Sequence, residues 1–197
     1  MAPYACALAN LAAVVVLALV LAPGTTLIPS VDERVRYIAD HLVAWRVSWM
    51  VWMAAAVTLV WFYGWWRARV NGPHVALLVA LAGIVADWTA ELSLIVAGAD
   101  GHAAVAPAAF FLTGAVANGL YTVAGIVLTL ATPLGPLARA YAVLMWAAGA
   151  FLSIGAAVDA PFITALATAA LFALFIPWCV WLGRRLHGSA GPAVASP

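Results

Sequence analysis

Lysine is absent from this chain, and charge of either sign is scarce: eight arginines and seven acidic residues in 197. Without a lysine there is no amine for a retinal Schiff base, which excludes an opsin-like photoreceptor. Two cysteines, Cys6 and Cys179, are too few for a disulfide scaffold or a cysteine-rich metal site. Charged residues make up 8% of the chain, against about 25% in soluble domains. So small an ionic complement cannot build the polar shell of a soluble domain. A net charge of +1 offers no basic footprint for nucleic acid. A cytosolic enzyme, a nucleic-acid binder and a disordered regulator are all excluded.

What the chain has is apolar surface. The hydrophobic share is 68% and the mean hydropathy +1.11, so its first partner is the lipid bilayer. A hydrocarbon core of about 30 Å takes roughly 20 apolar residues per helix. Runs of that kind predict an all-α, polytopic bundle of six transmembrane helices in a single domain over 1–197, at about 4–22, 43–66, 75–97, 108–131, 139–157 and 162–183. The first run lacks the basic flank of a signal peptide. Pro177 is expected to kink the last turns of the sixth. Asn71-Gly72-Pro73, Gly98–Pro107, Pro133–Pro136 and Asp159-Ala160-Pro161 read as short loops.

Arg67, Arg69, Arg139, Arg184 and Arg185 fall on one side of this topology. The positive-inside rule makes that side, with both termini, cytoplasmic. Arginine without lysine reads as the codon bias of a GC-rich bacterial genome, and so as a bacterial inner membrane. On the outer side Ser30-Val31-Asp32-Glu33 has the form of a capping box. Val31, Val35, Ile38 and Leu42 recur at helical spacing, predicting a short amphipathic outer-surface helix at about 30–42. It either bends into the second span or continues it as one long helix. Trp61, Trp65, Trp66, Trp178 and Trp181 fall where an inner aromatic belt belongs.

The sharpest feature is Asp87-Trp88-Thr89-Ala90-Glu91 in the third span. Spacing of i, i+4 puts both carboxyls on one helix face. An ionised acid at mid-bilayer costs about 2.5–3.5 kcal/mol on insertion scales, and two a turn apart cost more. At least one should carry a proton, and both should face the bundle interior. Asp87 and Glu91 are therefore the candidate catalytic or proton-handling residues. Arg46, about 5 Å in depth from Glu91 by the helical rise, is a candidate ion-pair partner that would leave the proton on Asp87. Asn118 stands level with Asp87 in a small-and-polar stripe of Gly114, Asn118, Tyr121, Thr122, Gly125 and Thr129. Trp45, Trp49 and Trp52 follow at i, i+4, i+7 and, with Trp88, could wall a pocket for an apolar or cationic ligand. The candidate ligand-binding set is Arg46, Trp49, Trp52, Trp88, Asn118 and Tyr121.

Other chemistries find little support. His41, His74, His102 and His187 fall in loops or at span ends, away from a bundle haem. His41, Asp40, His102 and Asp100 share the outer side but lack metal-ligand spacing. No G-x-S-x-G occurs, and Ser48, Ser93 and Ser153 have no histidine nearby in sequence. Cys6 and Cys179 read as free thiols on the reducing side. No metal and no cofactor is implied. Three functions remain: a permease or proton-coupled transporter binding a small ligand or protons at Asp87 and Glu91; a membrane-embedded enzyme with Asp87 as general acid on a lipid or isoprenoid; or an accessory subunit held by its carboxylates. The second resembles, in kind, small membrane cyclases of terpenoids, which also carry acids inside a helical bundle. It departs from them in having no acid in the final span.

Overall fold

A computed structural model of the protein describes residues 1–188. Every regular element among them is helical: α1 (Ala2–Val16), α2 (Val31–Asp40), α3 (Leu42–Val70), α4 (His74–Phe110), α5 (Asn118–Leu130), α6 (Pro136–Ala157) and α7 (Pro161–Gly188). A π-helical turn at Leu17–Leu21 extends α1, and another at Phe111–Ala117 joins α4 to α5. Five helical stretches are long and apolar enough to cross a membrane: Ala2–Gly24, Leu42–Val70, His74–Leu130, Pro136–Ala157 and Pro161–His187. Large apolar side chains such as Leu8, Val43, Val85, Leu130, Leu144 and Phe162 point out of the bundle. A water-soluble monomer does not carry so much apolar surface; the chain is an integral membrane protein.

The expected loop at Gly98–Pro107 is instead helical, with one exception. Gly98 alone leaves the helix, at φ 53° and ψ −145°, a conformation open essentially only to glycine. The turn it makes is sharp. Thr113 bonds Asp87 across 26 residues, a stretch that a straight helix would draw out to about 39 Å. His74–Leu130 therefore folds back on itself at one residue. Helical structure resumes at once because almost nothing after Gly98 opposes it until Pro107, which costs one amide donor.

Between α2 and α3 the chain breaks at His41 (φ −125°, ψ 26°), so the two are not one long helix. Ser30 Oγ accepts the Glu33 amide at 3.3 Å and starts α2. Tyr37 fastens α2 to the end of α1: its hydroxyl donates to the Val20 carbonyl at 2.9 Å, and its ring stacks on His41. At the opposite end of the bundle the start of α1 meets the end of α7, where Cys6 and Cys179 touch at 4.0 Å between sulfurs. Both are buried free thiols. Arginines gather at that end: Arg69 donates to the Leu186 carbonyl, Arg185 to the Pro133 carbonyl, and both lie over tryptophans. α7 continues through Pro177.

Two apolar clusters fill the interior. One, at the arginine end, is built on Phe62, Tyr63, Trp66, Trp146, Phe175 and Trp178. The other, beneath α2, holds Leu21, Ile38, Trp45, Trp49, Ala90, Leu94, Ala106 and Ala109. The acidic pair of α4 stands at the seam between them.

Candidate functional site

Asp87 and Glu91 share one face of α4 and are buried, at 3% and 0% exposure. Their surroundings differ. Asp87 is held by two hydroxyls: Thr113 donates to Oδ1 at 2.5 Å and Tyr121 to Oδ2 at 3.2 Å. Tyr63 donates to the Tyr121 carbonyl at 3.0 Å and steadies that residue from α3. The Tyr121 ring comes close to α4 because Gly83, one turn before Asp87, has no side chain; a Cβ there would stand 2.7 Å from the ring. Glu91 has nothing comparable. Neither of its carboxyl oxygens meets a hydrogen-bond partner.

The residue that α-helical counting misses is Thr113. Counting back four from Asn118 reaches Gly114, the position in the small-and-polar stripe. The π-turn at Phe111–Ala117 adds a residue per turn, so the residue above Asn118 is the fifth back, and the Asn118 side-chain Nδ2 donates to the Thr113 carbonyl at 2.7 Å. Gly114 is turned instead toward α6, against Ala156. π-bulges recur at functional sites, and here one aims a hydroxyl at a buried acid.

Beside Asp87 lies a cavity of about 50 Å³, bordered by Asn10, Asn118, Tyr121 and Thr122 on its polar side and by Trp52, Leu59, Trp146, Phe172 and Phe175 on its apolar side. Each water takes roughly 10–15 Å³ on this measure, so the space holds a few water molecules or one small polar ligand. Of the candidate ligand-binding residues, Trp52, Asn118 and Tyr121 border the cavity. Trp49 packs edge-on against Trp45 in the cluster beneath α2. Trp88 faces outward, its indole N–H donating to the Met53 carbonyl at 3.4 Å. Arg46 is exposed and gives its Nε–H to the Ile95 carbonyl at 3.1 Å, so the expected Glu91–Arg46 pair does not form. Asn10 of α1 and Tyr63 join the site unforeseen, since nothing in their sequence neighbourhood sets them apart.

His102, expected in a loop, is buried in the resumed helix of α4, with the edges of Trp45 and Phe110 against its ring. His41 is spent on Tyr37, so the outer histidines and aspartates do not converge. Among the described residues no three His, Cys, Asp or Glu side chains gather as a metal site. Comparison with protein-family models, with curated proteins and with solved structures finds no match to this chain, and the site is read from its own geometry.

Proposed function

We propose that this is a six-span protein of a bacterial inner membrane, both termini cytoplasmic, whose Asp87/Glu91 centre handles protons or binds a small ligand, as in a permease or proton-coupled transporter. The count of six treats the two arms of His74–Leu130 as separate spans. As one straight helix its 57 residues would reach about 85 Å, nearly three times the hydrocarbon core. α2 would then lie on the outer surface, with Asp32, Glu33 and Arg36 outward and Ile38 inward. The arginine end takes the cytoplasmic side.

The observation that carries the reading is Glu91. A completely buried carboxyl without a partner is expensive in lipid and useless as glue, because glue requires a bond. One turn away, Asp87 has two O–H donors aimed at it, an arrangement suited to the carboxylate; a carboxyl with no donor suits the neutral acid. Such an unequal pair, with room for a few waters beside Asp87, can pass one proton between its members. The isoprenoid-enzyme reading has an aromatic wall in its favour, but ligand pockets usually span about 300–1,000 Å³. It therefore requires the helices to part.

The test is proton flux into proteoliposomes that contain a pH-sensitive dye, after an external acid jump with the membrane potential clamped. The wild type should acidify the lumen well above the leak of empty vesicles, and Asp87→Asn should cut that excess at least tenfold. An excess flux that Asp87→Asn leaves unchanged overturns the proposal.

A further inference from the structure

Seven described residues carry a buried side-chain polar atom without a hydrogen-bond partner, and five of them crowd the α2 side of the carboxylate centre: Arg34, Trp45, Trp49, Glu91 and His102. The other two, Arg67 and Trp178, lie toward the arginine end. Three of the five are in ring contact. Trp45 meets Trp49 edge-on at 5.5 Å and His102 at 5.6 Å, between ring centres. Arg34 stands on α2, which packs against α4. Glu91 is flanked in α4 by Ala90 and Leu94, which pack in the same cluster as Trp45 and Trp49. The Gly24 backbone comes within polar reach of His102 without a well-formed hydrogen bond.

Native interiors leave few polar groups unsatisfied, and ordered water bridges most of those. A run of five, from a half-buried arginine on α2 to a fully buried acid, marks a wettable seam through an otherwise apolar cluster. We propose that this row is the outer access path of the proton-handling centre, with His102 as its relay. The inference rests on the reading of Asp87 and Glu91 given above. A proton from the α2 side binds one His102 ring nitrogen, and His102 releases a proton to a bridging water. That water delivers its own to the Glu91 carboxylate, left empty when Glu91 passed its proton to Asp87. His102 ends neutral, and one proton has moved inward. The charged groups about the row are Arg34 from α2 and Asp87 within α4, while Arg46 of α3 is engaged with the Ile95 carbonyl.

The test reads hydrogen–deuterium exchange at Glu91 itself. In the infrared spectrum of reconstituted protein, the protonated Glu91 carboxyl is the band lost in Glu91→Gln. On transfer to D2O it should shift rapidly in the wild type and at least tenfold more slowly in His102→Phe, whose ring fits the aromatic niche. His102→Gln, which keeps a polar side chain but cannot relay a proton, should slow it as well, and decides the matter if the Phe variant fails to fold. Exchange at the wild-type rate in the folded His102 variants, or the absence of a Glu91 carboxyl band, overturns the path. Flux that falls in Asp87→Asn but not in the His102 variants refutes the path and leaves the proposed function standing. Flux indifferent to Asp87→Asn refutes the function, while the exchange rate still decides whether the path exists.

Discussion

Replacing Glu91 by methionine should make this protein more stable, not less. Methionine nearly matches the length and volume of the side chain and removes two oxygens that find no partner. Leaving such a buried group unsatisfied costs about 1–3 kcal/mol, and an apolar replacement of similar shape recovers that cost. The expected gain is therefore about 1–3 kcal/mol, toward the lower end where water bridges the carboxyl. Leu94 supplies the contrast. It lies three residues on, is equally buried at 0% exposure, and is apolar, so Leu94→Ala should lose about 2–5 kcal/mol. Unfolding in mixed micelles with increasing SDS, followed by tryptophan fluorescence, measures both shifts in one assay. Opposite signs at neighbouring positions, with proton flux lost in Glu91→Met, identify a residue kept at the expense of the fold. A Glu91→Met variant destabilised like Leu94→Ala would refute the reasoning, because Glu91 would then have to hold the helices together.

Three further outcomes test the geometry around Asp87. Thr113→Val deletes a hydrogen bond to a buried acid and should cost about 1.5–3 kcal/mol; combined with Asp87→Asn in a double-mutant cycle, the two losses should fall well short of additive. Gly83→Ala should drive the Tyr121 ring from a 2.7 Å approach to an ordinary 3.4 Å contact, stretching a bond that is already 3.2 Å. Its net cost in unfolding assays should be about 1 kcal/mol after the better helix propensity of alanine, and the same substitution in a Tyr121→Phe background should cost less. Gly98→Ala places a Cβ on a backbone of positive φ that L side chains rarely adopt, with Leu42 at 3.3 Å. A loss of about 1–3 kcal/mol in SDS unfolding is expected, and full stability would show that the fold-back does not depend on that dihedral.

Depth was legible in the sequence; azimuth was not. Hydropathy located the apolar stretches, and i, i+4 spacing put Asp87 and Glu91 on one face, because both follow from the regular rise of a helix. Arg46 matched Glu91 in depth, yet nothing in the string reveals that its side chain turns toward the Ile95 carbonyl. Trp49, Trp52 and Trp88 read as one wall, but only Trp52 borders the cavity, since a stripe of tryptophans fits packing as well as lining. Thr113 was hidden by the π-turn, which no residue type announces and which shifts every later position by one. The stretch after Gly98 looked like a loop because glycine and proline usually punctuate. In lipid, where every backbone group must be bonded internally, the chain resumes its helix after a single-residue break, and His102 is buried as a consequence.

The one-residue hinge at Gly98 also dictates an order of events during synthesis. Asp87 leaves the ribosome before Thr113 and Tyr121, so the acid reaches the insertion machinery while its two hydroxyl donors are still inside the ribosome. On the six-span proposal the two arms would enter the bilayer as a hairpin, the first sheltered until the second has emerged, and a nascent chain arrested just beyond the hinge should remain bound to the translocon instead of partitioning into lipid.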